Sequence, residues 1–160
     1  DTIVIATGSG GTAAGLNLAN ILGGYGRRIV AMAVCDDVKY FQNYCHKISL
    51  EALPYLVEQR EISREKADAC AAAMKPEDFE INDGYVGIGY ALSRPEELEH
   101  IKNIARMEGV VFDPVYTGKA TYGLWNELQN GGSLRDSKNV LFIHTGGLFG
   151  LFPVSKSFNL

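Results

Sequence analysis

Apolar residues in this chain gather into four short runs separated by longer stretches of helical character. Residues 2–6 (TIVIA), 29–34 (IVAMAV), 110–112 (VVF) and 140–143 (VLFI) are rich in β-branched side chains and lack the alternation of a half-exposed strand. That pattern predicts strands covered on both faces. Between them, 12–22 (TAAGLNLANIL) fits a helix packed closely on a sheet, and 63–74 (SREKADACAAAM) is rich in helix formers, with Ser63 as its cap. Ser93 and Glu96 have capping-box spacing and open a predicted helix through Met107; Leu98, Ile101 and Ala105 share its apolar face and Gly109 ends it. A last helix is predicted after Thr117, carrying Leu124, Trp125 and Leu128 toward Gly131 and Gly132. The stretch 82–92 (NDGYVGIGYAL) reads as a long loop, and Asp36 and Asp37 as a solvated turn or a cap for the segment that follows.

Strands that alternate with helices need crossover connections, hence a parallel sheet. The fold class is therefore α/β: an open, mostly parallel sheet with helices on both faces, three layers deep, formed by residues 1–160 as one segment. In such sheets ligands bind beyond the carboxyl ends of the strands. The residues following the four predicted strands are Thr7-Gly8-Ser9-Gly10-Gly11-Thr12, Cys35-Asp36-Asp37, Asp113 through Lys119, and His144-Thr145-Gly146-Gly147. Glycines and polar groups thus gather at one predicted rim.

The glycine cluster admits three readings. Gly8, Gly10 and Ala13 satisfy G-x-G-x-x-A, with Asp36 or Asp37 near the place of a ribose-binding acid, as in a dinucleotide site. A cup around a single phosphate is the second, and a tight turn that binds nothing the third. Gly11 and the hydroxyls of Thr7, Ser9 and Thr12 favour the phosphate cup, because consecutive N–H groups and a helix N-terminus converge on one dianion. No lysine follows the final glycine as in a P-loop, which disfavours triphosphate hydrolysis.

Asp113 through Ala120 (DPVYTGKA) reads either as a strand end, proline turn and Thr117-capped helix, or as a strand tip that offers the Tyr116 phenol for proton transfer. Lys119 is not expected to form a Schiff base; it sits at a helix start and reads equally well as solvated. His144 is expected to be buried and satisfied rather than catalytic. Thr145 is either a helix cap or a hydroxyl facing a heterocycle edge, beside glycines that let a flat ligand approach the backbone.

Composition narrows the classes of function. Of 160 residues 46% are hydrophobic and 21% charged, as in ordinary soluble domains, and no apolar run approaches the ~20 residues of a membrane span. No membrane association is therefore predicted. A net charge of −4 without a Lys/Arg cluster argues against nucleic acid as a partner. Cys35, Cys45 and Cys70 form no C-x-x-C pair, which predicts reduced thiols in a cytoplasmic or organellar setting. Cys45 and His46 are neighbours in sequence and are not expected to share a metal, so no metal site is predicted. Starting at Asp1 with no signal-peptide pattern, the chain reads as a segment of a longer protein.

Five stretches together resemble the D-cysteine desulfhydrase and 1-aminocyclopropane-1-carboxylate deaminase family, within the fold-type II, tryptophan synthase β-like pyridoxal phosphate enzymes. They are TGSGGTAAGL at 7–16, VCDD at 34–37, GYALSRPEEL at 89–98, GVVFDPVYTGKA at 109–120 and LFIHTGGLFGL at 141–151. The resemblance implies that Thr7, Gly8, Ser9, Gly10, Gly11 and Thr12 bind the 5′-phosphate of pyridoxal phosphate. It implies that Tyr116 sits beside an amino acid substrate as an acid–base or positioning group, and that Thr145 hydrogen-bonds the pyridine nitrogen. Deaminases of the cyclopropane substrate typically carry Glu after the motif tyrosine and Leu after the motif histidine, whereas this chain has Thr117 and Thr145 and sides with the desulfhydrases. The implied reaction is β-elimination of D-cysteine to pyruvate, ammonia and hydrogen sulfide. Unlike a carboxylate, a hydroxyl at the pyridine nitrogen does not hold it protonated, which favours prompt expulsion of a β-leaving group over racemisation or transamination.

In this family the Schiff-base lysine and the groups gripping the substrate carboxylate belong to the N-terminal half, which nothing here matches. The resemblance therefore implies a C-terminal portion, inactive alone, of an enzyme that is often a homodimer. The alternatives are a cyclopropane-ring deaminase with unusual site residues, or a non-catalytic dinucleotide- or phosphate-binding domain.

Overall fold

The computed structural model describes residues 1–158. In chain order they form β1 (Thr2–Thr7), α1 (Gly11–Gly23), β2 (Arg28–Ala33), α2 (Val38–Glu58), α3 (Arg64–Ala73), β3 (Glu80–Asn82), α4 (Pro95–Glu108), α5 (Thr117–Gln129) and β4 (Val140–Ile143), with 3₁₀ turns at Pro76–Asp78 and Leu148–Phe158. The strands make one all-parallel sheet in the order β3-β2-β1-β4. Its two faces follow from alternation within β1. Ile5 joins Ala31, Ala33 and Phe79 under α1 and α2, whose Ala13, Ala14, Phe41 and Cys45 fill that side. Val4 and Ala6 join Val30 and Met32 on the opposite face, under Ala120, Leu124 and Leu128 of α5. Helices cover both faces, and the three-layer α/β arrangement predicted from the sequence is the one observed.

The strand order contains a reversal that decides where a ligand fits. From β1 the chain moves outward through β2 to β3, then returns through α4 and α5 to place β4 on the other flank of β1. The loops leaving β1 and β4 therefore diverge, the arrangement in which open parallel sheets take ligands at the carboxyl ends of their strands. The register is level there, with Ile5 opposite Ile143.

Four expectations need correction. Residues 110–112 are not a strand: Val110 and Val111 are exposed, the Val111 carbonyl accepts from His144 Nε2 (3.0 Å), and Phe112 turns in against the Phe142 ring. The remaining strand is the three-residue β3, whose single fully inward side chain, Ile81, gives too little pattern to read. The long α2 went unpredicted although Phe41, Cys45, Ser49 and Leu53 form a four-residue buried stripe and Asp37 caps it by accepting from the Tyr40 amide at 2.8 Å. The box opening α4 is shifted by one residue. Arg94 is the cap, its amide donating to Glu97 at 2.8 Å, while Ser93 donates instead to the Pro114 carbonyl. Ser63 does cap α3 and Gly109 does end α4, in the left-handed conformation. No helix among the described residues is long and apolar enough to cross a membrane.

Candidate functional site

The loop after β1 is shaped by glycines with specific neighbours. Gly10 adopts φ +76° as the residue preceding α1, and no side chain caps that helix. Its first-turn N–H groups are therefore available to an acceptor from outside, and a helix N-terminus favours an anion. A β-carbon on Gly11 would meet nothing within 4 Å among the described residues, which leave space open over that first turn. Ser9 and Thr12 are exposed, and Thr7 is buried with its Oγ1 lacking a partner among the described residues. An open, uncapped helix end with hydroxyls around it fits a phosphate group.

Two cysteines back this loop as donors. The Cys45 thiol donates to the Gly10 carbonyl (3.5 Å) and the Cys35 thiol to the Gly8 carbonyl (3.7 Å). Burial pushes each thiol up to about 11, helped at Cys35 by the neighbouring Asp36. Both are neutral near pH 7 and act as packing and hydrogen-bonding groups. His46, beside Cys45 in sequence, donates instead to the Met74 carbonyl at 3.1 Å.

Tyr116 meets this loop from the other side. A β-carbon on Gly8 would lie 2.7 Å from Tyr116 Cε1, so the ring rests where only glycine leaves room. The backbone there is organised by Asp113, which is buried and accepts from the amides of Val115, Tyr116 and Thr117, each at 2.8 Å. Thr117 closes the turn, its hydroxyl donating to Asp113 Oδ1 (2.8 Å) and accepting from the Asp113 amide (3.0 Å). Charge-assisted bonds of this kind fix a side chain's direction. The Tyr116 hydroxyl is hydrogen-bonded to that of Tyr90, with ring centroids 5.9 Å apart at 71°. That bond, then burial, pushes the Tyr116 phenol up to about 12, so it carries its proton at neutral pH.

From β4, the register that pairs Ile5 with Ile143 carries His144-Thr145-Gly146-Gly147 to the same rim as Thr7 and Gly8. Thr145 is exposed there. His144 is exposed as well, against the expectation of burial, yet it is satisfied: Nε2 donates to the Val111 carbonyl and Nδ1 accepts from the Gly146 amide (3.1 Å). Lys119 is the opposite case. It is buried rather than solvated and donates to the carbonyls of Val86 (2.5 Å) and Gly89 (2.8 Å).

The structure thus seats Tyr116 on the Thr7–Thr12 loop and the loop carrying Thr145 on the Asp113 turn from which Tyr116 projects, at the carboxyl ends of β1 and β4. Sequence reasoning gave Tyr90 no role, although it lies in the GYALSRPEEL stretch that carries part of the resemblance, and missed Asp113 as the organiser of the turn. The Asp-x-x-x-Thr spacing of 113 and 117 was the available signal for the second.

Comparison with known proteins bears on the family and the fold. The profile of the family described as pyridoxal-phosphate dependent enzyme matches residues 1–146. The chain is 38% identical over 152 residues to the mitochondrial bifunctional D-cysteine desulfhydrase/1-aminocyclopropane-1-carboxylate deaminase of Arabidopsis thaliana, which covers 95% of this chain and 33% of that protein. It is 33% identical over 151 residues to the D-cysteine desulfhydrase of Yersinia enterocolitica, covering 94% and 41%. A crystal structure described as that of an ACC deaminase homologue superposes with a TM-score of 0.76 at 30% identity, over 99% of this chain and 43% of the other. The chain therefore spans between a third and less than half of the length of these relatives.

Proposed function

Because this chain belongs to the pyridoxal-phosphate dependent enzyme family, we propose that it forms the cofactor-phosphate side of an enzyme that eliminates sulfide from D-cysteine. In this reading Thr7, Gly8, Ser9, Gly10, Gly11 and Thr12 hold the phosphate, Thr145 faces the ring nitrogen and Tyr116 stands beside the substrate. The observation that carries it is the seat of Tyr116 on Gly8, because a phenol pressed against the phosphate-loop backbone lies next to whatever that loop holds. The cofactor, when bound, supplies electron withdrawal from the substrate's α-carbon. The chain's own residues do the rest at this rim: the α1 amides fix one end of the cofactor, and the protonated Tyr116 phenol is available to donate at the departing sulfur. D-Cysteine and water would give pyruvate, ammonia and hydrogen sulfide.

The family resemblance assigns the covalent anchor of the cofactor to a lysine outside this chain, and the chain to a C-terminal portion of the enzyme; Lys119, committed to two backbone carbonyls, does not take that place. D-Cysteine is favoured over the cyclopropane substrate by the threonines at 117 and 145. Thr117 lies buried against Asp113, in a space shaped for a small hydroxyl and not for a glutamate. The test is to assay the full-length protein with both substrates. Sulfide and pyruvate from D-cysteine without 2-oxobutanoate from the cyclopropane support the reading; the reverse pattern overturns it.

A further inference from the structure

The charged cluster around Lys119 has no place in the reaction as described, yet it reaches the site through one loop. Lys119 and Glu97 are both fully buried, and Arg94 reaches Glu97 through Nε and Nη2, each at 2.9 Å. Gly87, at φ +73°, is wedged beside the two buried charges: a β-carbon there would lie 2.8 Å from Glu97 Oε1 and 3.4 Å from Lys119 Nζ. The Gly89 carbonyl that Lys119 grips also accepts from the Leu92 amide (3.2 Å), closing the turn that contains Tyr90. Tyr90 itself is 52% exposed, so burial does not hold it in place. What holds its backbone is the bonded turn behind it. Buried ionic groups of this kind contribute little net stability but can specify one arrangement of the chain.

We propose that Lys119 is a positioning residue: by gripping the Val86 and Gly89 carbonyls, with Glu97 balancing its charge and Arg94 holding Glu97 in place, it fixes the 86–92 loop so that the Tyr90 hydroxyl meets that of Tyr116. The pair then keeps the Tyr116 phenol protonated and aimed along the Gly8 loop. This rests on the functional reading above only for its consequence in catalysis; the geometry stands by itself.

The charges make a test possible because two explanations predict opposite signs. Removing a nearby cation makes a phenolate harder to form, which by charge alone raises the Tyr116 value or leaves it unchanged. Loss of the loop's grip removes the Tyr90 bond instead and lowers it. The full-length protein, labelled with ¹³Cζ-tyrosine, is titrated by NMR, with the Tyr116 resonance identified by its absence in Tyr116→Phe. Of the other groups acting on this phenol, Asp113 is the same in every variant, and Cys35, on which Lys119 also acts, is removed by a Cys35→Ser background common to all of them.

The value near 12 is expected to fall toward the ordinary ~10 in both Tyr90→Phe and Lys119→Met, by similar amounts, with no further fall in the double variant. A Lys119→Met value at or above wild type while Tyr90→Phe falls, or falls that add in the double variant, overturns the proposal. Should Lys119→Met fail to fold, Arg94→Met, which likewise removes a cation and frees Glu97, is read in the same way: a smaller fall supports it, and a rise or no change overturns it. The readout needs no turnover. Absence of sulfide release in the wild type would overturn the functional reading while leaving this result intact.

Discussion

Gly147 lies directly against Asp113: a β-carbon at Gly147 would come within 2.7 Å of Asp113 Oδ1, and the residue holds φ +98°. The loop that carries Thr145 is thereby seated on the same carboxylate that orders the Tyr116 turn. Gly147→Ala imposes both a positive φ on an L residue and a clash with a carboxylate that already has three amide donors. The expected outcome is a loss of about 2 kcal/mol in stability, read as a lower urea midpoint at unchanged m. On the reading proposed for Thr145, weakened cofactor binding in the full-length protein should accompany it.

Gly118 sets how closely α4 and α5 approach. A β-carbon there would lie 2.4 Å from Ile101 Cδ1 and 2.5 Å from the Asp113 carbonyl oxygen, to which the Gly118 amide also donates at 2.7 Å. The side chain of Ile101 has rotamers to move into, but the carbonyl is fixed by that bond. Gly118→Ala is expected to cost about 3 kcal/mol, and pairing it with Ile101→Ala should recover little of the loss, since the backbone contact remains. Thermal or urea unfolding of both variants checks this.

These two glycines show what the sequence could and could not convey. Glycines after β1 and β4 were legible as a site because they follow apolar runs, and the doubly wound sheet makes strand ends meaningful before any coordinates exist. Gly118 gave no such signal, since its neighbour Ile101 is seventeen positions away and on another helix. The run at 110–112 misled for a related reason. β-Branched residues report a preference for extended backbone, not a strand partner, and here the extended segment gives a carbonyl to His144 instead of joining the sheet. Lys119 was unreadable because its burial depends on Glu97 and on carbonyls some thirty residues upstream. Tyr116 was singled out as the tip of an apolar run read as a strand, but its partner Tyr90 was not, because a loop residue's direction is set by contacts that composition does not encode.

Asp113 is the group whose loss would unmake the site's framework. Its carboxylate serves the Val115, Tyr116 and Thr117 amides and the Thr117 hydroxyl while almost fully buried. In Asp113→Asn one oxygen is replaced by an amide group that faces donors, so bonds turn into repulsions. A loss of about 3 kcal/mol is expected, against about 1 kcal/mol for Thr117→Val, which removes a single hydroxyl. Chemical denaturation of the two variants side by side tests the ranking.

Tyr116→Phe separates chemistry from architecture. The ring still fills the space over Gly8, so folding and cofactor affinity should stay near wild type. The hydroxyl's removal is expected to lower kcat for sulfide release in the full-length enzyme by about 10²-fold or more, the usual scale for a lost proton donor. A variant with wild-type kcat would show that Tyr116 is only a wall of the site.

The last prediction concerns acid stability at the far end of α5. Glu127 accepts from the Tyr85 hydroxyl (3.0 Å) and the Ser133 amide (2.6 Å). Burial alone would raise its carboxyl, but the hydrogen bonds from Ser133 and Tyr85 outweigh it and hold the group below the usual glutamate range. A carboxyl depressed in the folded state stabilises the fold above its unfolded value, ~4.3, and that contribution fades as pH falls through the folded value. The wild type should therefore lose stability on acidification below about pH 5 more steeply than Glu127→Gln, which cannot titrate there. Near pH 7 the variant should be the less stable of the two, and the gap should narrow toward pH 3. Urea midpoints across this range decide it: parallel curves would mean that Glu127 titrates alike in the folded and unfolded chain and that its bonds to Tyr85 and Ser133 contribute nothing net.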